Sequence, residues 1–211
     1  MSHAATADTH AHDAEAPSFR PYGVDMGTFG MWLFLASEIM FFTGLLGAYI
    51  VYRISYTTPE IEKDVFALGA NSLDWWIGAL NTLILIVSSF TMVQACVACE
   101  KGNAATLRKM LFITAGLGML FLCIKVGLEY YPKIYLHGHG PSHSLFFSCY
   151  YGLTGAHGVH VFGGVIPLVV LALQSNRLAE LRSRRVETLG LYWHFVDVVW
   201  IFLFPLLYLA Q

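Results

Sequence analysis

Residues Ser144–Leu173 read SLFFSCYYGLTGAHGVHVFGGVIPLVVLAL, thirty positions without an aspartate, glutamate, lysine or arginine. A helix needs about 20 mostly apolar residues to cross roughly 30 Å of hydrocarbon, and this run exceeds that. A spanning strand would need only about 10 residues and would alternate polar with apolar side chains, which the run does not do. Backbone groups in lipid must be bonded within their own segment, so the run predicts a membrane-spanning helix. Gly152, Gly155, Gly158, Gly163 and Gly164 crowd it, and small residues let helices approach closely in lipid. Pro167 predicts a bend in this helix, as Pro205 does near the chain's end.

Four further runs are of the same kind: Thr28–Tyr52, Leu73–Ala98, Met110–Leu128 and Leu189–Leu209. Gly44 and Gly47 mark the first of them, and Gly116 and Gly118 the third span. The fold class is therefore an all-α integral membrane protein, a bundle of five transmembrane helices over residues 27–211. Residues 1–26 differ: they hold His3, His10, His12, Asp8, Asp13, Glu15 and Pro17 and no apolar run. They read as a polar mobile tail, and they lack the basic start and apolar stretch of a signal peptide.

The composition agrees with the spans. Of the 211 residues 56% are hydrophobic and 12% charged, and the mean hydropathy is +0.59. A soluble domain carries about 25% charged residues, so a soluble globular enzyme is excluded, and so is a disordered chain. With a net charge of −2 and no large basic block, nucleic acid is not a partner. Cys96, Cys99, Cys123 and Cys149 lie in apolar runs and read as small buried hydrophobes. Cys96 and Cys99 have no second pair with which to complete a zinc site. No internal repeat suggests an inverted-repeat transporter.

Lysine and arginine set the orientation. The side with the N-terminal tail collects Arg20, Lys101, Arg108, Lys109, Arg177, Arg182, Arg184 and Arg185. The other side has Arg53, Lys63 and Lys133, with Lys125 near its edge. Positive-inside bias then predicts a cytoplasmic N-terminus and a C-terminus outside. Trp75, Trp76, Tyr130, Tyr131, Tyr135, Tyr192 and Trp193 fall near span ends, where aromatic rings anchor at the interface.

Polar residues inside the spans carry the chemistry. Glu38 lies ten residues into the first span, about 15 Å deep at 1.5 Å per residue. An acid there must face the bundle and be partnered or protonated. His157 and His160 are three apart in the fourth span, on one helix face, and His194 and Asp197 repeat that spacing in the fifth. An imidazole beside a carboxylate in low dielectric forms a charge-assisted hydrogen bond. Three readings stand: a structural network that fixes helix register, a proton relay, and haem ligation with His157 or His160 facing His194. Lys125 and Glu129, four apart at the end of the third span, predict an interfacial ion pair. His137, His139 and His143 fall among glycines and Pro141, which predicts a flexible turn with exposed imidazoles. Arg177, Arg182, Arg184 and Arg185 form a basic edge suited to anionic lipid head groups.

Four stretches, in this order, together resemble subunit III of the haem–copper respiratory oxidases, the family of cytochrome c oxidase subunit III and its quinol-oxidase counterpart. They are Ser37-Glu38-Ile39-Met40-Phe41-Phe42, Glu129-Tyr130, Thr154-Gly155-Ala156-His157-Gly158-Val159-His160-Val161, and Glu187 through Trp200 with Tyr192-Trp193-His194-Phe195-Val196-Asp197-Val198-Val199-Trp200. The resemblance covers roughly residues 27–209, and the chain is similar to the five-helix form that lacks the first two of seven helices. In the longer form those two helices make one wall of a lipid-filled cleft.

The resemblance implies a non-catalytic accessory subunit of a proton-pumping haem–copper terminal oxidase in aerobic respiration. It implies no haem or copper on this chain, with those groups in partner subunits, packing against subunit I in a complex with subunit II, and phospholipid bound in a cleft. It further implies support of proton uptake, protection of the catalytic subunit, and a place in the bacterial plasma membrane. Glu38 is carried over as the membrane carboxylate with His160 or His157 as its partner, and Glu187 with His194 and Asp197 as a second polar cluster. No metal ligand and no catalytic residue is assigned to the chain itself. The alternatives are a membrane haem-b electron carrier and a small proton or ion transporter.

Overall fold

A computed structural model of the chain describes residues 26–55, 73–136, 144–180 and 184–209. Their regular structure is helical: α1 (Met26–Ser55), α2 (Trp75–Glu100), α3 (Ala104–Ile124), α4 (Leu145–Leu173), the short α5 (Ser175–Glu180) and α6 (Arg184–Phe204). Beyond its α-helical part, α3 runs on through wider π-helical turns at Lys125–Tyr130 and Pro132–Leu136, and α6 through Pro205–Leu209. Five helices are long and apolar enough to cross a membrane, as the sequence predicts. The ends differ from the predicted ones. The third span extends over Ala104–Tyr135 and the fifth begins at Arg184, because polar and charged residues at a helix end do not stop the helix. Apart from Met26, the expected tail lies outside the described residues, as do Lys63, His137, His139, His143 and Arg182.

Local chemistry sets the helix starts. Asn103 caps α3 by accepting from the amide of Thr106 at 3.0 Å, and Ser144 caps α4 by accepting from that of Phe147 at 3.4 Å. Gly102 between α2 and α3 has φ +70°, a conformation that glycine adopts without the penalty of a Cβ. Pro167 sits inside α4, which continues through it, whereas Pro205 stands where α6 gives way to wider turns.

The helices α2, α3, α4 and α6 pack as a bundle, and α1 lies to one side against α6 and α4. The bundle closes around Trp193, which has no exposed surface. Its indole Nε1 donates to Oγ of Ser88 on α2 at 2.8 Å. A Cβ on Gly118 of α3 would lie 2.7 Å from its Cη2, and one on Gly164 of α4 2.9 Å from its Cζ3. One side chain on α6 thus locates the three other helices. Tyr192 and Trp193 are therefore core residues and not the interfacial anchors expected, because α6 starts more than two turns before them. Of the predicted packing glycines, Gly118 and Gly164 make the close approaches, while Gly44, Gly47, Gly116, Gly152 and Gly155 have open space beside them. All four cysteines are free thiols; Cys99 is buried and Cys123 is exposed.

Gly164→Ala forces a methyl into the Trp193 ring and is expected to destabilise the subunit by about 1–3 kcal/mol. Gly152→Ala should be neutral or slightly stabilising. Thermal unfolding in detergent compares the two, and equal effects would contradict the packing described.

Candidate functional site

Glu38 and His160 form the first polar site, between α1 and α4. Nε2 of His160 lies 2.8 Å from Oε2 of Glu38, with both side chains 18% exposed. Nδ1 of His160 donates to the carbonyl of Ala156 at 2.7 Å. A carbonyl can only accept, so Nδ1 carries a proton. Nε2 then either accepts from a protonated Glu38 or donates to its carboxylate. In either case the contact is a hydrogen bond that ties α1 to α4. Phe42 packs edge-on to the imidazole at 5.1 Å, and Tyr192 donates to the carbonyl of His160 at 2.8 Å.

One helical turn from this pair, Phe34 and Gly163 begin an apolar cleft of about 710 Å³ between α1, α4 and α6. Met31, Val170, Leu171 and Leu189 line its middle, and Arg184 and Arg185 its far end. Pro167, also in the wall, has no N–H with which to bond the carbonyl one turn before it. Arg177, on α5, is exposed.

The other predicted residues go elsewhere. His157 is 1% exposed and packs against Trp200 and Phe121, with ring centroids 5.2 and 5.6 Å away. It does not touch Glu38. Nδ1 of His194 pairs with Oγ of Ser89 at 2.6 Å, and Asp197 is buried against the same side with no hydrogen bond from His194. The expected His194–Asp197 bond is absent because α2 supplies Ser89 as the imidazole's partner. Glu187 is exposed in the first turn of α6, two turns before His194, so the cluster of Glu187, His194 and Asp197 does not form. The three intramembrane histidines engage three different partners and do not face one another as a haem pair would.

A second polar site lies within the bundle. Lys125, Glu129 and Lys133 are 3%, 1% and 6% exposed, so the pair expected at an interface is enclosed in protein. Lys125 donates to Oε2 of Glu129 at 2.7 Å, to Tyr150 at 3.0 Å, and to Tyr208. Oε1 of Glu129 accepts from Lys133 at 3.2 Å and from Tyr208. Residues four apart are neighbours on a helix surface, which places the three charges on one side of the helix. Lys133, Tyr150 and Tyr208 were not anticipated. The four-residue spacing of Lys125, Glu129 and Lys133 is a readable signal only if the span is carried past Leu128.

Glu129→Leu would strand two buried ammonium groups and is expected to cost about 3–5 kcal/mol, while the triple variant K125M/E129L/K133M regains most of that loss. Thermal unfolding reads both. A Glu129→Leu protein as stable as the wild type would contradict the enclosed network.

Comparison with known proteins covers nearly the whole chain. A model of the family described as Cytochrome c oxidase subunit III matches residues 20–211. The chain is 36% identical over 208 residues to Cytochrome c oxidase subunit 3 of Thermostichus vulcanus, covering 97% of this chain and 93% of that one. It is 34% identical over 197 residues to Probable cytochrome c oxidase subunit 3 of Nocardia farcinica, covering 91% and 90%. It is 32% identical over 183 residues to Cytochrome bo(3) ubiquinol oxidase subunit 3 of Buchnera aphidicola subsp. Schizaphis graminum, covering 86% and 92%. With five spanning helices and a family match over residues 20–211, the chain belongs to the cytochrome c oxidase subunit III family.

Proposed function

We propose that the chain serves as the non-catalytic accessory subunit of a haem–copper terminal oxidase, stabilising the catalytic subunit and supporting its proton uptake. The observation that carries this reading is the 2.8 Å contact between Glu38 and His160 within the membrane-spanning bundle, one helical turn from an apolar cleft. A carboxyl group inside the membrane needs such a partner, and it is a natural candidate for handling protons. Relatives named for both cytochrome c oxidase and ubiquinol oxidase match the chain, so the proposal extends to a complex of either kind.

The cleft is the proposed phospholipid site. Its apolar wall suits acyl chains, and Arg184 and Arg185 at its far end suit an anionic head group, each contact worth about 1 kcal/mol. In the sequence, Arg177 and Arg182 precede these two and add to the positive charge of that stretch. For α1, only 17% of its most apolar window is buried, against 33–50% for the other spans. Its exposed Trp32, Leu33 and Met40 support packing against subunit I, with subunit II also in the complex. Haems and copper are expected in those partners. The basic residues support a cytoplasmic N-terminus in a bacterial plasma membrane, and the enclosure of Lys125 and Lys133 leaves even fewer free positive charges on the opposite side.

In the assembled complex, Glu38→Ala is expected to leave initial oxygen consumption nearly intact and to shorten the active lifetime during turnover. Oxygen-electrode traces followed to inactivation measure both. Complete loss of activity from the first turnover, with the complex assembled, would overturn the accessory role.

A further inference from the structure

The bundle core is layered, and among the described residues Asn81, His157 and Asp197 hold buried side-chain polar atoms with no hydrogen-bond partner, the first two in one layer. The reference layer is Trp193 with Ser88, Gly118 and Gly164. Neighbouring helices run in opposite directions, so two turns along the bundle means seven residues forward on α3 and α6 and seven back on α2 and α4. That step reaches Trp200, Lys125, Asn81 and His157. The contacts agree with this register. The Trp200 ring lies 5.2 Å from that of His157 and 5.0 Å from Nζ of Lys125. Trp200 Nε1 donates at 3.0 Å to Oγ1 of Thr82, the neighbour of Asn81.

Asn81 is 0% exposed and His157 1%. Neither amide atom of Asn81 and neither ring nitrogen of His157 has a hydrogen-bond partner among the described residues. An asparagine amide brings two donors and a carbonyl acceptor, and a neutral imidazole one donor and one acceptor. Such groups are almost always satisfied when buried. The chemistry of the layer selects the ligand. A cation is disfavoured by the ammonium of Lys125 in the same layer. An anion finds that ammonium already committed to Glu129, Tyr150 and Tyr208. Donors and acceptors at one level of an enclosed core call for a small neutral molecule that both donates and accepts, and this is the setting in which internal water is held.

We propose that Asn81 and His157 form a binding site for ordered water inside the bundle. The water lies in the layer that Lys125 of the Lys125–Glu129–Lys133 network shares with His157, and Trp193 with its two glycines closes the layer two turns away. The chain then contains a hydrated polar well that shares α4 with the Glu38–His160 pair but draws Asn81 from α2 and Lys125 from the α3 extension, and this goes beyond the proposed accessory role.

The test is a density map of the intact complex, good enough to show water elsewhere in the bundle. The expected result is density within about 3.2 Å of a ring nitrogen of His157 and of the Asn81 amide, lost in Asn81→Leu. Direct bonding of the two side chains to each other or to neighbours, with no density between them, would overturn the site. So would unchanged density in Asn81→Leu. If that variant does not assemble, the wild-type map alone decides.

Discussion

The seat of Trp193 is the constraint on which the rest of the bundle depends. In lipid no hydrophobic force distinguishes one helix pairing from another, so close packing and interhelical hydrogen bonds must choose the register. The indole does both: its ring fills the space left by Gly118 and Gly164, and its N–H finds Ser88. With α2, α3, α4 and α6 located by one side chain, His157 falls beneath Trp200 and Lys125 lies next to that ring. The charges of the π-helical turns are brought against Tyr150 and Tyr208. On α4, His160 is left to meet α1 and Glu38.

Two polar systems result, and each is hydrogen-bonded where it stands. His160 bonds a backbone carbonyl through one ring nitrogen and Glu38 through the other. Lys125 and Lys133 share the one carboxylate of Glu129, with tyrosine hydroxyls as further donors and acceptors. Side chains engaged in this way fix helix positions and hold protons, which fits a subunit that supports the chemistry of its neighbours.

The fold class was readable from apolar runs alone, because length and the absence of charge are sufficient to call for spanning helices. The ends were not. Leu189 looks like the start of the fifth span, yet the helix begins at Arg184, and that difference turned Trp193 from an expected anchor into the core. In the same way the third span runs past Leu128, so Lys125 and Glu129 lie inside protein. Glu38 and both α4 histidines were visible as intramembrane polar groups, but their spacing could not say which histidine meets the acid. That choice depends on where α1 lies. Ser88, Ser89, Thr82 and Asn81 gave no signal, since a single small polar residue in an apolar helix is ordinary. The resemblance in the last span grouped Glu187 with His194 and Asp197, but an unbroken helix holds Glu187 about two turns from His194 and nearly three from Asp197.

An accessory role for this chain means that the oxygen chemistry of the complex resides in its partners. The direct measurement is the haem and copper content of the complex before and after this subunit is removed, together with the visible spectrum of the released chain. The expected result is full haem and copper retention by the depleted complex and no Soret absorption from the released subunit. Haem leaving with this chain, seen as a Soret band of its own, would contradict the accessory role.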